Sequence, residues 1–401
     1  MHNKNEILLT KLSKVFIEYF GDEMASVFSN ELKRNALAQE NIDPNDSDYS
    51  NQMVEVRIII DTTITYAQSK LVSNVYPRFI LDITTVLAET GSLDLPEQIL
   101  INTIADIRSD RTYALLLMLL ADIYIRKSFW DNSINLLDQA VEILTKLDDK
   151  VNLAKCENLY GTLYGEKGEI QRAKDHFLTG VYLLNGEKDE LLSADFENNL
   201  AIIEYITGNI AAAKKHYNIA LEKFEMLNHS KRIAEIMHNL GIFNFIEEQY
   251  DKAIEEFDKS IKIAEKEDYK TVLSISYLAM ARAFLCLKNY NEASTYSYKA
   301  IDAAIKIGDK LTIAEIYKII GILERELKHY GTAEKFFQIS LRLNKELCNR
   351  FNYAETALEL GELYRLTCDE ENKTEWLNNA LSYYTEINAV EKIKEIKKLL
   401  K

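Results

Sequence analysis

The chain is poor in residues that punctuate a backbone. Its 401 residues include only 3 Pro and 13 Gly. Sandwiches, barrels and doubly wound sheets need turn formers in greater supply, so this poverty favours long helices. All three prolines, Pro44, Pro77 and Pro96, lie in the first quarter, and from residue 97 onward nothing forbids helix. Cysteine is scarce too. Cys156, Cys286, Cys348 and Cys368 form no CxxC pair and no dense framework, which argues against a disulfide scaffold and suits a reducing cytosol, with the thiols mostly as core fillers. The start, Met1-His2-Asn3-Lys4-Asn5-Glu6, leads into no signal-peptide hydrophobic region. The longest apolar run, Tyr113 to Ala121, stops at Asp122, far short of the ~20 residues that span a bilayer. The expected location is the cytoplasm.

A basic excess is also missing. There are 48 Lys and Arg against 63 Asp and Glu, for a net charge of −15. The first 96 residues and the remainder are each acidic. Phosphate binding needs a basic footprint, so neither nucleic acid nor an anionic membrane is an expected partner, although an acidic chain can still carry a local basic patch. The 47% hydrophobic content is enough for a large core and excludes intrinsic disorder.

What the chain does have is internal repetition. The small residues Ala121, Gly161, Ala201, Gly241, Ala281, Gly321 and Gly361 step by 40. So do Ala140, Gly180, Ala220, Ser260, Ala300, Ser340 and Ala380. A third series, Ser133, Ala173, Ala213, Ala253, Ala293 and Ala333, keeps the period until Lys373 breaks it. Four residues after the third series come Leu137, Phe177, Tyr217, Phe257, Ser297, Phe337 and Leu377, mostly bulky. Such a unit reads as two antiparallel helices, each with one apolar face. Small residues at the crossing let the backbones approach, and a large neighbouring side chain fills the space. Turns fall at Lys167-Gly168-Glu169, Thr207-Gly208-Asn209 and Lys288-Asn289-Tyr290. One hairpin cannot bury its own apolar face, but stacked hairpins can.

These residues resemble the tetratricopeptide repeat. The family pattern is visible in Leu240-Gly241, Tyr250, Ala253, Phe257 and Ser260, and again in Ile320-Gly321, Tyr330, Ala333, Phe337 and Ser340. The 40-residue unit exceeds the usual 34. It is similar to the repeats of kinesin light chain, of LGN/Pins polarity adaptors and of bacterial Rap-type peptide receptors. Over residues 111–386 the resemblance implies an all-α fold. The expected architecture is a right-handed α-solenoid of about seven antiparallel helix pairs, preceded by a helical N-terminal domain. The expected domains are residues 1–108, which are either an independent helical domain or degenerate repeats, the repeats at 109–388, and a capping helix at 389–401. In that cap Val390, Ile393, Ile396 and Leu400 form an apolar stripe among lysines.

Within residues 1–108, helices are expected at Ile7 to Phe20, Glu23 to Leu37, Val54 to Val72, Arg78 to Thr90 and Glu97 to Ile107, with a polar loop from Gln39 to Gln52 and a break at Gly91-Ser92-Leu93-Asp94. The β-branched run around Arg57 to Thr65 leaves a strand open there, with helix preferred.

No catalytic signature is present: no phosphate-binding glycine loop, no nucleophile elbow, no His-Glu-x-x-His. No catalytic residue, metal or cofactor is expected. His176 and His216 share a repeat position but lack a third zinc ligand. The resemblance implies that the first helix of each pair lines a concave peptide groove. The groove-facing offsets are three and two residues before the first small residue, then one and four after it. They yield Asn158, Asn198, Asn199 and Asn239, the last two at the position where asparagine in the longer-repeat relatives clamps an extended backbone. An amide offers such a backbone both donor and acceptor, and the alternative use of these amides is a bond within the solenoid. The later offsets yield Arg282, Arg325 and Arg365, joined by Lys318. They are suited to an acidic side chain or terminal carboxylate, unless Glu315, Glu324, Glu326, Glu355 or Glu362 pairs with them first. Tyr205, Phe245, Tyr277 and Tyr317 offer rigid walls.

Two functions follow. One is a non-enzymatic adaptor that holds a peptide segment of a protein partner in the groove. The other is a peptide-responsive regulator, similar to Rap-type receptors, whose N-terminal domain engages a response regulator or other effector. A helix-turn-helix transcription factor and an enzyme rank below both. A homodimer stays open, because solenoid ends and convex faces often self-associate.

Overall fold

The computed structural model describes residue 8 and residues 10–21, 49–89, 93–105 and 111–401. Among them every regular element is an α-helix. The expected helix at Glu23 to Leu37, most of the Gln39 to Gln52 loop and the Gly91-Ser92 break lie outside the described residues.

The early helices are α1 (residues 10–21), α2 (Tyr49–Lys70), α3 (Tyr76–Glu89) and α4 (Asp94–Ile104). Several boundaries differ from expectation, by two residues at the end of α2 and the start of α3 and by more at the starts of α2 and α4. Tyr49 to Gln52 belong to α2 rather than to a loop, because a first turn has N–H groups with no intrahelical partner and tolerates Ser and Asn. Helix α4 starts at Asp94, three residues early. Asp94 and Glu97 face the positive end of the helix, and both pair with Lys127. Pro77 and Pro96 sit in the first turns of α3 and α4, where a missing N–H costs little. The β-branched run at residues 57–65 is helical.

The pairs follow: α5 (Arg111–Arg126), α6 (Trp130–Lys146), α7 (Lys150–Glu166), α8 (Ile170–Leu183), α9 (Glu190–Ile206), α10 (Ile210–Met226), α11 (Ser230–Ile246), α12 (Tyr250–Lys266), α13 (Lys270–Cys286), α14 (Tyr290–Ile307), α15 (Lys310–Glu326), α16 (Tyr330–Glu346), α17 (Arg350–Leu366) and α18 (Glu370–Glu386). Helix α19 (Val390–Leu399) comes last. The chain divides into two compact units, Met1–Phe196 and Glu197–Lys401.

The turns repeat as faithfully as the helices. Left-handed residues recur 20 apart at Ser128, Asp148, Gly168, then at Gly208, Asn228, Glu248, Asp268, Lys288, Gly308, Lys328, Cys348, Cys368 and Asn388. Each ends a helix with a bond reaching five residues back, as in Glu169 N–H to the Tyr164 carbonyl at 2.8 Å and His329 N–H to the Glu324 carbonyl at 2.8 Å. Asp and Asn cap several of the following helices. Asp309, for example, accepts from the Thr312 N–H at 3.0 Å. Two cysteines expected in the core occupy these turns instead: Cys348 and Cys368 are exposed, as is Cys286 at the end of α13, and only Cys156 is buried.

Helix crossings carry the small-to-large pattern. A Cβ placed on Gly161 would stand 2.4 Å from the Phe177 ring, on Gly241 2.5 Å from Phe257, on Gly321 2.6 Å from Phe337, and on Gly361 2.6 Å from the Leu377 side chain. Gly180 of α8 meets Phe196 of α9 in the same way, at 2.1 Å. Those bulky residues are buried. Where the small residue is alanine, the facing position is Leu137, Tyr217 or Ser297. Lys373, which breaks the third series, is buried with its ammonium paired to Glu370.

In the first unit, α1, α2, α3 and α4 share one core with α5. Leu12, Phe16, Ile60, Phe79, Ile83 and Leu100 pack together with Leu116 and Leu120. Tyr19 donates to Asp82 at 2.5 Å from within that core. Burial and the facing carboxylate push its phenol far above its ordinary range. In the second unit the core runs through successive pairs, from Ala234 and Phe257 to Tyr277, Ile316 and Ile320. A further cluster joins Phe337, Leu360 and Leu377 to Ile396 of α19.

A polar chain crosses this second core. The Ser260 hydroxyl donates to the Ala234 carbonyl at 2.7 Å, so its oxygen accepts from Ser276 at 3.1 Å, and the Ser276 oxygen accepts from His238 Nδ1–H at 3.0 Å. Burial lowers the His238 pKa to about 4.

Two outcomes follow. Gly321→Ala gains helix propensity yet should cost roughly 1–3 kcal/mol through the clash with Phe337. Adding Phe337→Leu should recover part of that loss, as Ala121 coexists with Leu137. A denaturation double-mutant cycle that is additive would contradict this contact. The second outcome concerns pH. His238 is depressed below its unfolded pKa, so the unfolded chain binds the proton first. The contribution is complete above about 6.5 and lost as pH falls toward about 4. From pH 7 to pH 5 wild type should lose about 2 kcal/mol more than His238→Gln. Parallel stability curves would count against it.

Candidate functional site

The odd-numbered helices of the second unit lie side by side: α13 touches α11 and α15, and α15 touches α17. They form a cavity of about 220 Å³. Phe245 comes from α11, Arg282 and Cys286 from α13, Glu315 and Lys318 from α15, and Glu355 and Glu359 from α17. Tyr384 of α18 and Lys392 of α19 complete its border. Three of the twelve residues expected at the groove, Phe245, Arg282 and Lys318, therefore line one cavity.

Its cations are placed differently. Lys318 is buried, with its ammonium 2.8 Å from Glu315 and 2.6 Å from Glu355. Burial opposes the charge, but the two carboxylates outweigh it and hold the Lys318 pKa above its ordinary value. Arg325 lies 2.7 Å from Glu359 and 3.4 Å from Glu326. Lys392, at the border, pairs with Glu395 at 2.8 Å. Arg365 pairs with Glu362 at 2.8 Å and does not line the cavity. Arg282 is exposed, with its guanidinium 5.3 Å from the Phe245 ring centre, and among the described residues no carboxylate pairs with it. Phe245 is held in turn by an edge contact to Tyr250 at 5.4 Å.

The asparagines are engaged. Asn198 is 8% exposed, and its amide donates to Asn199 at 3.4 Å. Asn239 donates to the Tyr217 hydroxyl at 3.1 Å. Asn158 lies in the first unit and is half-buried. Tyr205 is 40% exposed and leans on Phe243, with ring centres 5.4 Å apart. Of the other aromatics, Tyr277 is buried and donates to Glu265 at 2.5 Å, and Tyr317 stacks on Phe336 at 5.9 Å. Repeat position explains part of this. Lys318 occupies the register of Asn158, Asn198 and His238, and Glu359 that of Asn199 and Asn239. That shared register was the signal by which Glu359 could have been found. Cys286 and Lys392 carried no such signal.

His176 and His216 do not form a metal pair. Each turns back into its own helix pair, Nδ1 of His176 to Glu157 and Nδ1 of His216 to Glu197, both at 2.7 Å. No group of three or more metal-ligating side chains occurs among the described residues. No described helix is long and apolar enough to cross a membrane.

Comparison with known proteins agrees with this architecture. The tetratricopeptide-repeat family matches residues 112–180, 192–266 and 232–306. Tetratricopeptide repeat protein 29 of Macaca fascicularis is 24% identical over 254 residues, covering 60% of this chain and 52% of that protein. The Tonsoku-like protein of Drosophila melanogaster is 21% identical over 48% of this chain and 15% of its own length. The chain thus spans about half or less of these relatives. Among solved structures, the apo quorum sensor NprR of B. thuringiensis superposes with a TM-score of 0.62 at 14% identity, covering 90% of this chain and 99% of that one. Apo RapI gives 0.62 at 14%, covering 81% and 96%. A STAND ATPase with a tetratricopeptide-repeat sensor from Pyrococcus horikoshii gives 0.60 at 16%, covering 98% and 65%. At these identities the superpositions establish fold. The 40-residue helix pairs, their small-to-large crossings and the matched segments together show that this chain carries tetratricopeptide repeats.

Proposed function

We propose that the face built by α11, α13, α15 and α17 is a non-enzymatic binding surface for a peptide segment of a protein partner. The observation that carries this reading is Arg282. Every other cation bordering the cavity has a carboxylate within the chain, whereas Arg282 is exposed and backed by Phe245. An arginine in that setting suits an acidic side chain or a terminal carboxylate. The buried Lys318 with its two carboxylates supplies a fixed neighbouring charge pattern for register rather than a free cation. Tyr205 and the Asn199 and Asn239 register would extend the surface toward the start of the second unit. In this reading residues 109–388 are the binding body, 389–401 close it, and the partner is met in the cytoplasm.

A second reading shares the surface. The superposition with NprR and RapI extends over 90% and 81% of this chain, so it includes helices that precede the repeats. Another similar structure is of a Rap protein complexed with Competence and Sporulation Factor. By analogy, residues 1–108 would respond to a peptide on the repeats and engage an effector.

The test is capture of partners from the source organism's lysate by tagged wild type and by Arg282→Glu. The variant is expected to melt like wild type, because Arg282 is exposed and has no internal carboxylate. A groove-bound partner should be captured at least ~10-fold more weakly by the variant, in line with loss of a charge-assisted contact. Equal capture of every partner would reject the surface. A partner retained by Arg282→Glu but lost on deleting residues 1–108 would favour the second reading.

A further inference from the structure

A second cavity, of about 430 Å³, lies away from this face and shares no residue with it. It is bordered by Asn344 and Lys345 at the end of α16, Tyr353 of α17, and Asn379, Ser382 and Tyr383 of α18. Asn344 is out of place by the logic of the repeat. The equivalent positions hold Leu144, Leu184, Phe224, Ala264, Ala304 and Tyr384, all buried. Asn344 is 1% exposed in the same slot.

Its hydrogen bonds are determined by their neighbours. The Thr356 hydroxyl donates to the Asn352 carbonyl at 2.8 Å, so in its 3.1 Å contact with Ser340 it accepts. The Ser340 proton is thereby used, and Ser340 can only accept from Asn344, whose Nδ2 stands 3.3 Å away. Flipping the amide would oppose two acceptors. Oδ1 is left on the other edge of the amide. Among the described residues it is the one buried side-chain polar atom with no partner. Buried acceptors without a donor are costly and call for an explanation.

The walls depart from the repeat as well. Of the six preceding units, the first has Tyr113 where Tyr353 stands and the other five have Leu153, Ser193, Ile233, Leu273 and Ile313, and the position of Tyr383 holds Leu343 in the preceding unit. Tyr383 is braced. Arg350 stands 5.4 Å from its ring centre and is itself held by Glu386 at 2.8 and 2.6 Å. Lys345 has no carboxylate partner among the described residues. An orphaned acceptor disfavours an anionic ligand, and Lys345, which no carboxylate among the described residues neutralises, disfavours a cationic one. What remains is a neutral donor on a flat apolar body.

We propose that this cavity binds a planar aromatic group with one N–H donor, of the indole class, the donor meeting Asn344 Oδ1 and the ring resting against Tyr353 and Tyr383. The inference does not depend on the surface around Arg282.

Calorimetric titration of the full chain tests it, with indole, 1-methylindole and N-acetyltryptophanamide as probes. Indole should bind saturably and at least ~10-fold more tightly than 1-methylindole, which lacks the N–H. Asn344→Leu restores the residue type of the other units. It should fold with a raised melting midpoint and lose the discrimination between the two probes. Tyr353→Leu, likewise a residue the repeat already uses, should weaken both probes. No saturable indole binding to wild type, equal binding of the two indoles, or discrimination surviving in Asn344→Leu would overturn the proposal. If N-acetyltryptophanamide competes with indole, the group is a tryptophan side chain of a polypeptide. If indole binds and the amide does not, it is a free small molecule.

Discussion

The repeat body depends on one steric complement, a residue with little or no side chain on the first helix against a mostly bulky side chain on the second. Gly241 with Phe257 and Gly321 with Phe337 show it most plainly, since a single added carbon would stand within 2.6 Å of the ring. Backbones that close leave no room for water and let dispersion act across the whole crossing. Because the facing residues lie 16 apart on adjacent helices, the hairpin angle is fixed locally. The left-handed residue at the turn, recurring with the 20-residue half-period, fixes where each helix stops. Stacking then follows, because a hairpin with one apolar face needs a neighbour.

That division of labour explains what the sequence made legible. A contact within one hairpin leaves its mark at a constant spacing, so the period, the number of pairs and the helical class could be read from Gly161, Phe177 and their equivalents. The start of α2 at Tyr49 could not, since a polar first turn and a polar loop have the same composition. The thiols were misjudged for a similar reason. Cys348 and Cys368 stand in the left-handed turn slot, which is set by backbone geometry and takes Asn, Asp, Lys and Glu as well.

The candidate surface was legible only by register. Offsets from the small residue include Phe245, Arg282 and Lys318, which border one cavity, but they carried no information on which charges would cancel. Lys318 finds Glu315 three residues back and Glu355 in the next unit, and Arg325 finds Glu359. Those partnerships depend on side-chain reach between neighbouring helices. In a chain of net charge −15 the expectation is that cations are consumed internally, and along this cavity Arg282 is the exception. Asn344 illustrates the converse: the repeat predicts an apolar residue, and its violation draws attention to a site only because the structure leaves Oδ1 without a donor.

Cys286 offers the most direct measurement of the central claim, that the inner face of the second unit is where a partner binds. It is exposed and borders the cavity one helical turn from Arg282. Two single-cysteine proteins, one keeping Cys286 and the other the exposed Cys368, which borders neither cavity, would be alkylated with a bulky maleimide and compared in partner capture. Modification at Cys286 should abolish capture while modification at Cys368 leaves it intact. Undiminished capture by the protein blocked at Cys286 would contradict it.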